Sequence, residues 1–152
     1  MVFATADRHR FVTLPALDSV RNEHLEVSVE MVLLVEDDID VMEVTSVLLE
    51  DAGYVVLQAK NANQALRLAE EHPDICAVFT DVNLREGLNG IELAYELRAR
   101  GNGAAVVVVS GDLGWADTPL KEDMRFLSKP YGRQTLLAVV NEACARTQAR
   151  HT

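Results

Sequence analysis

The chain lacks long apolar runs, lacks clustered basic residues and has little cysteine. No stretch of roughly eighteen consecutive apolar residues occurs, the length a membrane-spanning helix requires. No signal-peptide core follows Met1 either, so a soluble, cytoplasmic protein without membrane insertion is expected. Lys and Arg number 14 against 24 Asp and Glu, a formal net charge of −10. Direct nucleic-acid binding is therefore not expected, because neutralising phosphates takes grouped Lys and Arg. The two cysteines, Cys76 and Cys144, form no CxxC and no Cys/His pattern that would hold a metal. Both lie in apolar stretches, and buried free thiols in a reducing compartment are the expectation. His9, His24, His72 and His151 are scattered over polar stretches and are expected to be solvated.

What is present is enough for one domain with a substantial core: 152 residues, 49% of them hydrophobic. Residues 1–30 mix apolar and charged side chains without a clean period, and Pro15 interrupts them. A loosely ordered extension is expected there, with one helical turn over Asp18–Val27. A domain spanning 31–149 follows.

From Met31 onward, short apolar runs alternate with helical patterns. Val32–Val35 reads as a strand covered on both faces. Asp38–Asp51 reads as a helix with Val41, Val44 and Leu48 inward, stopped by Gly53, where φ must turn positive. Tyr54–Ala59 is a second strand. Asn61 and Gln64 resemble a capping box ahead of inward-facing Ala62, Ala65, Leu66 and Ala69. Ile75–Thr80 is a third strand, and Asn89 with Glu92 repeats the capping pattern before Leu93, Ala94 and Leu97. Ala104–Val109 and Arg125–Ser128 supply two more strands. A last helix over Arg133–Ala149 turns Leu136, Val139, Val140, Ala143 and Cys144 inward. Between the last two strands, Gly114, Trp115 and Pro119 disturb any helical period, so 111–123 is expected to be short or irregular helix. Alternation of this kind implies an α/β fold, a parallel sheet with helices on both faces.

Chemistry collects at one edge of that sheet. Glu36, Asp37 and Asp38 follow the first strand, Asp81 the third, Ser110 the fourth and Lys129 the fifth. The carboxyl edge of an open α/β sheet is where ligands bind. Each residue alone has an ordinary reading: Asp37 or Asp38 as a helix cap, Asp81 as a turn, Ser110 as a strand end, Lys129 as a surface lysine. Together, the carboxylates of Glu36, Asp37 and Asp81 in one pocket repel each other, and a divalent cation resolves the repulsion. All-oxygen ligands suit Mg²⁺. Asp81 is then the natural nucleophile for phosphoryl transfer, with Lys129 and the Ser110 hydroxyl taking phosphoryl oxygens.

These motifs resemble the receiver domain of two-component response regulators, over residues 31 to 148. The resemblance implies a flavodoxin-like, doubly wound sheet of five parallel strands in the order 2-1-3-4-5. It implies Glu36, Asp37, Asp81 and the backbone carbonyl of Asn83 as Mg²⁺ ligands. It further implies Asp81 as phosphoacceptor, Ser110 and Phe126 as switch residues, and Lys129 as the phosphate-contacting lysine before a cis bond to Pro130. Asn83 and Asp112 are expected to modulate dephosphorylation. The implied donor is a sensor histidine kinase or a histidine phosphotransfer protein. The chain ends at Thr152, which leaves no room for an output domain, so signalling to an unknown downstream protein by contact is expected, without turnover of an external substrate.

Two departures stand out: the family usually carries proline where Arg85 stands, and tyrosine is commoner than Phe126. An alternative is a haloacid-dehalogenase-like phosphatase, which also pairs an Asp nucleophile with Mg²⁺. Its DxD spacing is met only by Asp38 and Asp40, inside a helix. A flavin-phosphate binder would want a Ser/Thr/Gly-rich loop where this chain has carboxylates. A receiver retaining only a binding role is the remaining alternative.

Overall fold

The computed structural model describes residues 2–4, 10–14, 25–111 and 124–150. Three strands precede the domain: β1 (Val2–Ala4), β2 (Arg10–Leu14) and β3 (Leu25–Val29), paired antiparallel in that order. Leu25–Val27 therefore belong to a strand where a helical turn was expected; residues 18–24 lie outside the described residues. Leu25, Val27 and Val29 alternate with Glu26 and Ser28, a period of two that favours the strand.

The domain is built on a five-stranded parallel sheet: β4 (Met31–Val35), β5 (Val55–Ala59), β6 (Ile75–Asp81), β7 (Ala105–Ser110) and β8 (Met124–Ser128). Its order is β5-β4-β6-β7-β8, the doubly wound order expected from the resemblance. The described helices are α1 (Ile39–Asp51), α2 (Ala62–Glu71), α3 (Gly90–Ala99) and α4 (Arg133–Arg150). Residues 112–123, where irregular helix was expected, lie outside the described residues.

Successive side chains of a strand point to opposite faces, and the core divides accordingly. Met31, Leu33 and Val35 of β4 pack with Ala65 and Leu66 of α2 and Leu93 and Leu97 of α3. Val32 and Leu34 pack with Met42 and Leu49 of α1 and Leu136 and Val140 of α4. Helices on both faces explain why these strands are apolar without alternation.

Helix α1 differs from its expected orientation. It buries Met42, Thr45, Ser46 and Leu49, with the expected Leu48 half-buried against the same core, whereas Val41 and Val44 face solvent. Leu49 and Met42 are the longer apolar side chains and reach the sheet; Ser46 is kept inside by a 2.8 Å hydrogen bond from the Gln58 amide. The expected α2 and α3 faces are buried as read, and of the α4 residues expected inward all are buried but Val139, which is half-buried. Gly53 has φ 99°, as its place after α1 requires. The Asn89–Glu92 capping box forms in full, at 2.8 and 2.9 Å. At α2 only half of one forms: Asn61 accepts from the Gln64 N–H, but the Gln64 side chain accepts from the Lys60 N–H.

The cysteines correct another expectation. Cys76, at the start of β6, and Cys144, near the end of α4, form a disulfide instead of two free thiols. Nothing in the local sequence around either residue indicates this, because the partners are 68 residues apart. Beside the bridge the buried Thr147 hydroxyl accepts the Ala105 N–H at 2.9 Å and lies 2.7 Å from the Cys76 carbonyl oxygen. Closing so long a loop restricts the unfolded chain, so Cys144→Ser is expected to cost about 3 kcal/mol and lower Tm by roughly 5–12 °C. Differential scanning calorimetry of the variant, with oxidised and reduced wild type as controls, measures it; equal melting of all three would contradict the expectation.

Candidate functional site

Register assembles the site. Val35 of β4 lies beside Thr80 of β6, so Glu36 and Asp81 leave the sheet as neighbours. Asp81 pairs with Val109 of β7, and Ser110 pairs with Ser128 of β8, which brings Ser110 and Lys129 to the same edge. The Lys129 N–H donates to the Ser110 carbonyl at 2.9 Å, and the Lys129–Pro130 peptide is cis.

Glu36, Asp37 and Asp81 each place a carboxylate oxygen within 4.8 Å of the others. Asp38 does not join them. Its side chain caps α1, accepting from the N–H groups of Asp40 and Val41 at 2.9 and 3.1 Å. Capping by Asp38 thus releases Asp37 to the cluster. Lys129 Nζ lies 3.5 Å from Asp81 Oδ2, and Arg85 lies against Asp37.

Glu36 is only 6% exposed. Burial, then the Asp81 charge beside it, push its carboxyl up to about 7; Lys129 opposes the shift. Because the folded value exceeds the ordinary 4.5, the folded state holds the Glu36 proton between pH 4.5 and 7 while the unfolded state releases it. Glu36 therefore lowers stability progressively as pH rises through that window. Without divalent cations, Glu36→Gln is expected to gain about 1–3 kcal/mol on wild type between pH 4.5 and 7.5. Urea unfolding at both pH values measures this; a pH-independent difference would contradict it.

Ser110 is buried at the end of β7, and Phe126 is half-buried beside Val106, Val108 and Met124. Asn83 lies in the exposed loop two residues beyond Asp81. Asp112 lies outside the described residues.

Two residues at the site escaped sequence reading. Tyr131 lines the space beneath Glu36, Asp81 and Lys129 together with Thr45, and meets Phe79 edge-on at 6.0 Å. Burial raises its phenol above the ordinary value. Its signal was its place two residues past Lys129. Gly90, the first residue of α3, lies against the Asp81 backbone: a Cβ there would stand 2.1 Å from the Asp81 carbonyl oxygen. The Gly90 N–H also donates to the Val82 carbonyl at 2.9 Å, docking the helix start onto the strand that carries Asp81. Asn89-Gly90 in a capping motif hints at a close approach, but only the packing shows to what.

The donor set is all oxygen, clustered and over-charged, which fits a hard cation such as Mg²⁺. Beside it, α1 exposes Ile39 (69%), Val44 (61%) and Val47 (49%). Ile39 and Val47 border a groove of about 430 Å³ that also touches Glu36. Among the described residues no helix is long and apolar enough to cross a membrane.

A family model for the response regulator receiver domain matches residues 32–141. The transcriptional regulatory protein FixJ of Azorhizobium caulinodans is 35% identical over 120 residues, covering 75% of this chain and 54% of that protein. A putative NtrX-like response regulator of Rickettsia bellii is 26% identical over 124 residues, 78% of this chain and 26% of that protein. The chain thus spans about half, or less, of the length of these relatives. Among solved structures, a response regulator receiver domain protein from Clostridium thermocellum superposes with a TM-score of 0.73 at 28% identity. That match covers 80% of this chain and 98% of the other. A receiver protein from Sinorhizobium medicae gives 0.70 at 23% identity, covering 78% and 97%, and speaks for the fold alone.

Proposed function

The chain belongs to the response regulator receiver family, and from that premise we propose that Asp81 accepts a phosphoryl group from a phosphohistidine and passes the change on through protein contacts. The observation that carries this reading is the meeting of the Glu36, Asp37 and Asp81 carboxylates, with the Lys129 ammonium on the last of them. Glu36, Asp37, Asp81 and the Asn83 carbonyl would hold Mg²⁺. When bound, that ion supplies positive charge to offset the carboxylates and the phosphoryl oxygens.

Asp81 acts as nucleophile: its carboxylate oxygen bonds to phosphorus as the P–N bond of the phosphoimidazole breaks, and the electron pair returns to the imidazole nitrogen. An acyl phosphate and a free histidine result. Positioning and neutralisation do most of the work in such a transfer. Lys129, already 3.5 Å from Asp81, moves its ammonium to a phosphoryl oxygen once the carboxylate charge is spread. Ser110, anchored through its carbonyl to the Lys129 N–H, offers its hydroxyl to another. Phe126, only half-buried, has room to follow, and the two arrangements shift in population according to how much more tightly phosphate binds one of them.

The exposed Ile39 and Val47 of α1 share a groove with Glu36, whose carboxylate neighbours that of Asp81, a fitting landing for the protein bearing the phosphohistidine, a sensor kinase or phosphotransfer protein. The product leaves on Asp81 itself, so no external substrate is turned over. The test is incubation with a small acyl-phosphate donor and Mg²⁺, followed by intact-mass spectrometry and peptide mapping. One phosphoryl group per chain, on Asp81 and absent with EDTA, is expected. Sustained hydrolysis of a phosphomonoester would favour the dehalogenase-like alternative instead.

A further inference from the structure

Arg85, where the receiver resemblance implies proline, lies at the edge of the carboxylate cluster. It lies in the loop after β6, and it reaches Asp37 in the loop after β4, 48 positions earlier. Two groups of Arg85 use the same acceptor atom. Its backbone N–H donates to Asp37 Oδ2 at 3.0 Å, and its guanidinium Nε lies 3.4 Å from that oxygen. A proline at this position has neither group: its nitrogen carries no hydrogen and its ring no charge. The side chain is 82% exposed, so nothing else in the described structure confines it.

The electrostatics follow from that geometry. Three carboxylates crowd together, Lys129 answers the charge of Asp81, and Arg85 answers that of Asp37. A divalent ion entering between these oxygens meets a guanidinium already engaged with one of its ligands. Bringing +2 beside +1 costs free energy, and wherever the ion draws on Oδ2 it takes electron density that Arg85 also uses. By linkage, whatever free energy the Arg85–Asp37 contact has is withdrawn from metal binding, and the metal loosens Arg85 to the same degree.

We infer that Arg85 is a resident counter-cation of the site, one that competes with the divalent metal for Asp37 and thereby sets a weak metal affinity. This rests on the receiver reading of the same carboxylates. Arg85 is a positioning residue, acting on the metal through Asp37. Its guanidinium contributes the salt-sensitive part of the competition and its N–H the salt-insensitive part, and the two are separable by substitution.

The experiment is isothermal titration calorimetry of Mg²⁺ into the full chain, wild type against Arg85→Ala, Arg85→Lys and Arg85→Pro. Arg85→Ala, an exposed change that keeps the N–H, is expected to bind Mg²⁺ roughly three- to tenfold more tightly at low ionic strength. That gain should fade toward unity near ~1 M salt, where charges more than about 3 Å apart are screened. Arg85→Lys keeps the charge and should stay within about twofold of wild type. Arg85→Pro, which removes both groups, should bind at least as tightly as Arg85→Ala, with part of its gain persisting at high salt. An affinity for Arg85→Ala equal to or weaker than that of wild type overturns the inference while leaving the receiver reading intact. Absence of Mg²⁺ binding in wild type and all variants overturns both.

Discussion

Asp81→Asn is expected to take up no phosphoryl group from either a small acyl-phosphate donor or a phosphohistidine protein, and to do so while melting higher than wild type. The two halves have a common origin. Asp81 supplies the attacking oxygen, and an amide oxygen in its place carries no charge and forms no stable acyl phosphate. The same carboxylate is one of three within 4.8 Å of one another, and it helps drive Glu36 to a raised value near 7. Removing its charge reduces the like-charge crowding from three carboxylates to two and lets Glu36 ionise more easily. The loss is the ion pair to Lys129, at 3.5 Å and with the lysine one-third exposed, a contact worth under about 1 kcal/mol. The balance should favour the variant by about 1 kcal/mol, or 2–4 °C in Tm, in EDTA. Calorimetry and radiolabel uptake on one preparation check both halves. Retained uptake would place the acceptor elsewhere, and a large fall in Tm would show that Asp81 holds the fold together.

Gly90→Ala carries the second large effect, although Gly90 contributes no chemical group. The added Cβ would stand 2.1 Å from the carbonyl oxygen of Asp81 and 3.0 Å from the Cα of Val82. Both contacts are backbone, so neither can be relieved by turning a side chain. Either α3 lifts from the sheet, at the cost of the Gly90–Val82 hydrogen bond and of Ile91 and Leu93 packing, or the end of β6 shifts with Asp81 on it. Overpacking of this severity costs about 3 kcal/mol or more, a fall in Tm of about 6–12 °C. Because displacement of a reacting group by 1 Å can slow a reaction by a factor of about 100, phosphoryl uptake should slow 10- to 100-fold in molecules that remain folded. Stopped uptake measurements well below Tm separate the two effects. Wild-type uptake and stability together would mean that α3 does not set the position of Asp81.

Much of this fold was legible because its signals are local. Val32–Val35, Ile75–Thr80 and Ala104–Val109 read as doubly covered strands, and strand-by-strand alternation with helices left few topologies. The ends of those strands then named Glu36, Asp37, Asp81 and Ser110, and the end of Arg125–Ser128 named Lys129. What escaped depends on distant partners. Helix α1 carries apolar residues nearly all round, Val41, Met42, Val44, Val47, Leu48 and Leu49, so periodicity could not choose its buried face; packing chose Met42 and Leu49. The Cys76–Cys144 bridge and the Arg85–Asp37 contact join residues far apart in the chain, and the approach of Gly90 to Asp81 depends on how a loop folds back; no local pattern encodes any of them. The strand at Leu25–Val29 was locally encoded, in its alternation, and was masked by the charged surroundings.

Thr147 and the cysteine bridge pin the tail of α4 to the floor of the sheet, while its head starts just after Tyr131 and Gly132, at the rim where Lys129 stands. Leu136 and Val140 seat the part between in the core, so α4 is held by a covalent bond and a hydroxyl near its tail and by apolar packing toward its head.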